Sequence, residues 1–118
     1  MHEGAIARSL LEIANHHYLE SDLTQVLKVT VIIGKLHQIV NEVLVLHFDL
    51  LKKDRPGFEQ AFLEIEERDV AIKCKNCNQT ISIGDMSFAC PYCASPDTEL
   101  VQGNELHLAS IEGREDPI

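Results

Sequence analysis

The chain has 118 residues, 19 of them acidic and 10 basic, for a formal net charge of −9. Nucleic-acid binding relies on clustered Lys and Arg to neutralise phosphates. Here the densest basic group is only Lys52, Lys53 and Arg55, so no nucleic-acid partner is expected. No run of 18 apolar residues occurs, which excludes a membrane-spanning helix. The opening MHEGAIARSL carries early charges and lacks an apolar h-region, so a cytoplasmic protein without membrane contact is expected.

In chain order, Ile6, Leu10, Ile13 and His17 fall on one line at helical spacing, with Leu11, Ala14 and Tyr18 beside it. This predicts an amphipathic helix that leaves through Ser21-Asp22. Leu27, Val29, Val31 and Ile33 alternate in a β-branched run and predict a strand ending at Gly34. Asn41 is a good N-cap and Glu42 suits a first turn. Val43, Leu44, His47, Phe48, Leu50 and Leu51 then give a second amphipathic helix, closed by Pro56-Gly57. From Ala61 the chain alternates through Leu63 and Ile65 to Val70, Ile72 and Cys74, which predicts one long strand bulged near Arg68-Asp69. A last strand is expected over Glu105 to Glu112. The expected fold is α+β: a small sheet of about three strands packed by two helices, with an inserted four-cysteine zinc-ribbon-like lobe. The domain division that follows is 1–73 plus 103–118 for the α+β domain and 74–102 for the zinc-binding lobe.

All four cysteines lie in two pairs, Cys74-Lys75-Asn76-Cys77 and Cys90-Pro91-Tyr92-Cys93, giving C-x2-C-x12-C-x2-C. Two residues between cysteines let one tight turn aim both thiolates at a single ion, and two such turns complete the tetrahedral S4 site that structural zinc favours. Iron in a rubredoxin-like site has the same ligand geometry. Paired disulfides require an oxidising compartment, and a redox C-x-x-C sits singly rather than facing a second pair. A lobe of about 25–30 residues cannot bury an adequate core, so the ion substitutes for one.

His16 and His17 are adjacent on a helix and point about 100° apart, a poor joint ligand set. His47, on the apolar side of the second helix, reads as a packing side chain. His37 follows the first strand and His107 alternates with Leu106 and Leu108; either is in a position to line a site, as is Glu42. His2 differs by position. An imidazole beside a free amino terminus, with backbone amides between, can chelate a metal in a nitrogen-rich plane of the kind taken by Ni(II) or Cu(II). The bulk of His2 disfavours removal of Met1, so Met1-His2-Glu3 is the expected mature terminus. The enzyme templates fail. Ile6 stands where an H-E-x-x-H zincin needs its second histidine, and no G-x-S-x-G, P-loop or G-x-G-x-x-G is present. No enzyme is expected. On these grounds alone, a zinc-ribbon adaptor that mediates protein or nucleic-acid interactions without nickel is an alternative.

Met1-His2-Glu3 opening a helix, the Val31-Ile32-Ile33-Gly34 strand end, the cysteine quartet and the closing Gly103-Asn104-Glu105-Leu106 together resemble the HypA/HybF family over the whole chain. These are nickel metallochaperones of [NiFe]-hydrogenase maturation. The resemblance implies nickel bound by the Met1 amine, the His2 imidazole and backbone amide, and Glu3, with structural zinc on Cys74, Cys77, Cys90 and Cys93. It implies delivery with a HypB-type GTPase to the hydrogenase large subunit, with a urease accessory protein as partner in some organisms. A monomer or weak homodimer is expected. Some members place an aspartate soon after the Ile-Gly segment; here Val40 stands there, with Asn41 and Glu42 beside it. No histidine lies between Cys74 and Cys93, unlike members with histidines flanking the cysteine pairs.

Overall fold

The computed structural model describes residues 2–84 and 88–115. Helix α1 (Glu3–Glu20) leads into strand β1 (Leu23–Gly34), a 3-10 turn (Lys35–His37) and helix α2 (Asn41–Leu51). Strands β2 (Phe62–Arg68), β3 (Ala71–Cys74), β4 (Thr80–Ser82), β5 (Thr98–Gln102) and β6 (Leu106–Glu115) follow. They form two three-stranded sheets, ordered β2-β1-β6 and β4-β3-β5. The chain divides into two compact units, Met1–Ile32 with Gln38–Glu66 and His107–Ile118, and Ile33–His37 with Glu67–Leu106. No helix of the described residues is long and apolar enough to cross a membrane.

In the first unit α1 packs against α2. The buried stripe of α1 is Ala7, Leu10, Leu11 and Ala14, while Ile13 is 47% exposed. The expected line through Ile6 and Ile13 is therefore rotated, because small Ala7 and Ala14 allow the close approach that the bulkier line would prevent. The core is completed by Val26, Val29 and Val31 of β1, Leu44 and Phe48 of α2, Phe58, and Leu63 of β2. Burying Phe48 and Phe58 stabilises this unit by about 1.5–3 kcal/mol each. Tyr18 stacks edge-on to Phe58 with ring centres 5.4 Å apart, and its hydroxyl donates to the Thr24 carbonyl at 2.9 Å. The central strand β1 also holds its neighbours through Lys28, whose Nζ lies 2.8 Å from Glu64 Oε2 on β2 and 3.5 Å from Glu112 Oε2 on β6.

The long strand expected from Ala61 to Cys74 is divided between the sheets. β2 ends at Arg68, and β3 pairs antiparallel with β4 (Ile72↔Ile81) and with β5 (Ile72↔Leu100), with a register shift between Ala71 and Ile72. Asp69 lies between β2 and β3: its carboxylate is 2.7 Å from Lys35 Nζ and its carbonyl accepts from Gln102 Nε2 at 2.9 Å. Strands β4 and β5, each short and bordered by the knuckles, go beyond what the sequence pattern predicts. In this second unit Gly34 and Gly103 meet backbone to backbone: a Cβ on Gly34 would lie 1.9 Å from the Gly103 carbonyl oxygen. Gly34 N–H donates to the Glu105 carbonyl at 2.7 Å and Leu36 N–H to the Gly103 carbonyl at 2.9 Å. Gly103 has φ 118°, a region open to glycine and costly for a residue with a Cβ.

Candidate metal sites

The two cysteine pairs fold into near-identical knuckles. In each, the amide after the second cysteine turns back to the first: Asn78 N–H donates to the Cys74 carbonyl and Ala94 N–H to the Cys90 carbonyl, both at 2.8 Å. Asn78 and Ala94 adopt left-handed backbone, φ 61° and 60°. Each first cysteine then donates its own N–H onward, Cys74 to the Gln79 carbonyl at 2.9 Å and Cys90 to the Ser95 carbonyl at 3.0 Å. The outcome is four sulfurs gathered within 4.8 Å of one another. Cys74 Sγ lies 3.6 Å from Cys93 Sγ, and Cys77 Sγ lies 3.7 Å from Cys90 Sγ. A tetrahedron of sulfurs with bonds of about 2.3 Å to a central ion has edges of about 3.8 Å. All four cysteines are free of disulfides, and the cluster fits a structural zinc ion.

The thiols are unequal. Asn76 Nδ2, 3.6 Å from Cys93 Sγ, favours the Cys93 thiolate and, with the Ser95 backbone amide, lowers its pKa to about 6. At Cys77 the Gln79 amide acts in the same direction, but desolvation and the neighbouring sulfurs outweigh it and push the thiol up to about 11. Four mutually repelling thiolates are held together only by a cation, and zinc displaces their protons. Cys74 and Cys90 are buried whereas Cys93 is exposed, so one edge of the site faces solvent.

At the other end of the sequence, Met1 lies outside the described residues. His2 is exposed and occupies the N-cap of α1 without a side-chain capping bond. Its carbonyl accepts the Ile6 N–H at 3.1 Å. Glu3 stands in the first turn, where a carboxylate meets the positive end of the helix dipole. Glu3 Oε2 also accepts from the backbone N–H of Val40 at 3.0 Å, and that hydrogen bond is the main reason its pKa is lowered from the ordinary value. Val40, not Asn41, is the N-cap of α2. The Val40 carbonyl accepts the Val43 and Leu44 amides, but its apolar side chain cannot cap the helix, and Glu3 reaches this helix start from α1.

Among the described residues the cysteine quartet is the only set of three or more His, Cys, Asp or Glu ligand atoms brought together. His2 and Glu3 do not converge with a third such group. His16 and His17 are exposed, with His16 Nε2 3.4 Å from Glu20 Oε1. His37 Nε2 is 2.8 Å from the Asn104 carbonyl oxygen, where it fastens the turn after β1 to the segment before β6. His107 is exposed on β6, and Glu42 lies in the first turn of α2. His47 is half-buried, with its ring against the backbone of Gly4. Sequence spacing contains no signal for the Glu3–Val40 tie, because it joins residues 37 apart.

A model of the family described as hydrogenase/urease nickel incorporation, metallochaperone, HypA matches residues 1–113. The hydrogenase maturation factor HypA of Moorella thermoacetica is 32% identical over 113 residues, spanning 96% of this chain and 99% of that protein. Its counterpart in Roseiflexus sp. is 33% identical over 117 residues, spanning 98% and 94%. The fold is similar to the solution structure of the Ni metallochaperone HypA from Helicobacter pylori, with a TM-score of 0.70 at 25% identity and coverage of 98% of this chain and 100% of that one. A second HypA solution structure gives a TM-score of 0.73. Nothing in these likenesses supports a nickel-independent zinc-ribbon adaptor, since the match takes in both ends of the sequence. The chain belongs to the HypA family of hydrogenase and urease nickel-incorporation proteins, which are metallochaperones and maturation factors and not enzymes.

Proposed function

We propose that the chain captures Ni(II) at its amino terminus and delivers it for maturation of [NiFe]-hydrogenase, with urease as a second client. The ligands are the Met1 amine, the His2 imidazole and backbone amide, and the Glu3 carboxylate. The observation that carries this reading is the contrast within the tripeptide. Glu3 is held by Val40 while His2 is exposed and makes no capping bond. One end of the site is thus anchored, and the other is free to wrap an ion and release it. Backbone amides deprotonated by nickel would bring negative charge to the start of α1, where the helix dipole favours it.

Cys74, Cys77, Cys90 and Cys93 hold zinc as a brace for the lobe 74–102, and residues 1–73 with 103–118 form the nickel-handling part. The partners of this reading are a HypB-type GTPase and the hydrogenase large subunit, in the cytoplasm. A net charge of −9 raises the local concentration of divalent cations. Metal analysis of the untagged protein after nickel loading and desalting tests the division of labour. One zinc retained and one nickel added support it; two interchangeable metals at the cysteines contradict it.

A further inference from the structure

We propose that His47 is a further nickel ligand, contributing an imidazole nitrogen to the ion held by the terminal tripeptide. This rests on the terminal site described above and extends it to α2. The sequence alone reads His47 as a packing side chain, and the structure places its ring against Gly4, the residue that follows the proposed terminal ligands.

Two contacts bring the start of α1 and one face of α2 together. Glu3 reaches the Val40 amide. Seven residues further on, nearly two turns and so on the same face of the helix, His47 packs against Gly4. A Cβ at Gly4 would lie 3.2 Å from both Cε1 and Nδ1 of the His47 ring. The missing side chain at position 4 is what lets the imidazole come this close to the backbone of the terminal segment.

No described residue forms a hydrogen bond or ion pair with either ring nitrogen of His47. His47 as a whole is only half-buried. Imidazole nitrogen is a good ligand for Ni(II), and an added nitrogen suits the nitrogen-rich set of an amino-terminal site. The ligand atoms of His2, Glu3 and His47 do not form a gathered set, so the exposed, uncapped His2 end has to move to the His47 ring for both to ligate one ion. An ion seated this way has one ligand on a separate element, and withdrawal of that ligand provides a route to release.

The test uses the full chain with its native terminus and zinc in place. Nickel is titrated into the parent, His47→Gln, His47→Ala and His2→Ala, with affinity read by calorimetry and coordination by the ligand-field absorption spectrum. The expected result is that both His47 variants lose about tenfold or more in nickel affinity and change the spectrum, while the zinc-loaded, nickel-free His47→Gln variant unfolds at the parent temperature. His2→Ala abolishes binding. Nitrogen-15 NMR of the parent, which needs no variant, is expected to show the His47 ring signals displaced or broadened by nickel. If His2→Ala abolishes binding but His47→Gln keeps the parent affinity and spectrum, and the His47 ring signals do not respond, His47 is only a packing side chain. If His2→Ala binds as the parent does, the terminal site itself is wrong and this inference falls with it.

Discussion

Glu3 Oε2 accepts the backbone N–H of Val40 at 3.0 Å, so the first turn of α1 acts as the cap of α2. The same carboxylate is a proposed nickel ligand, which couples the metal site to the packing of the two helices. Glu3→Gln keeps an acceptor oxygen without the charge, and Glu3→Ala removes both. The expected result is that Glu3→Ala speeds hydrogen exchange of the Val40 amide while Glu3→Gln leaves it slow. Both variants weaken nickel binding. Equal exchange in the parent and Glu3→Ala would show that the bond does not persist in solution.

Gly34 has no room for a side chain. Its Cβ would meet the Gly103 carbonyl oxygen at 1.9 Å and the Gly103 carbonyl carbon at 2.1 Å, and both are backbone atoms that cannot rotate away. Gly34→Ala is expected to destabilise the chain by about 3 kcal/mol, at the upper end of overpacking costs. Chemical denaturation measures it. A loss below about 0.5 kcal/mol would mean that the two segments separate at no cost.

Cys90 is 2% exposed and closes the sulfur cluster. The unit around it buries few large side chains, so the ion has to supply what a core would; structural zinc contributes about 10–16 kcal/mol in small peptides. Cys90→Ser, or removal of zinc by a chelator, is expected to abolish exchange protection in β3, β4 and β5. The helical circular dichroism of α1 and α2 is expected to remain. Unchanged exchange protection in β3, β4 and β5 and an unchanged melting curve after verified zinc loss would contradict a structural role.

The Lys28–Glu64 pair gives a defined pH window. The hydrogen bond from Lys28 lowers the Glu64 pKa from its ordinary 4.5, so its contribution is complete above that value and fades as pH falls below it. Lys28 is raised from 10.5, first by the Glu64 bond, so its contribution is complete below that value and fades as pH rises above it. The stability difference between the parent and Glu64→Gln should be level between these limits and shrink on both sides. The pair is partly exposed, so the difference is small and declines with salt. A difference that grows in acid would reverse the assigned sign.

The zinc quartet was legible because its chemistry is local: each C-x2-C pair is a single turn, and only the meeting of the two turns is tertiary. The fold class and both helices followed from periodicity, as did the end of β1 at Gly34. Long-range contacts set what was not legible. The stripe on α1 shifted from Ile13 to Ala7 and Ala14 because helix–helix approach selects small residues, which hydrophobicity alone does not rank. The segment from Ala61 to Cys74 reads as one strand bulged near Arg68-Asp69, where the apolar phase shifts from Leu63 and Ile65 to Val70 and Ile72. At that place β2 ends and β3 begins in the other sheet, a division that strand pairing sets and local alternation does not show. The cap of α2 came from Glu3, a residue no local window includes, and His47 gained its meaning only from Gly4.

Calorimetric titration of nickel into the zinc-loaded chain, with and without a short extension ahead of Met1, tests the central claim most directly. With the native terminus the account predicts one nickel bound per chain, with protons released as amine and imidazole nitrogens become ligands. With the extension it predicts that this binding is lost while zinc content and circular dichroism stay unchanged. Undiminished nickel affinity in the extended chain would contradict a site built on the terminal amine.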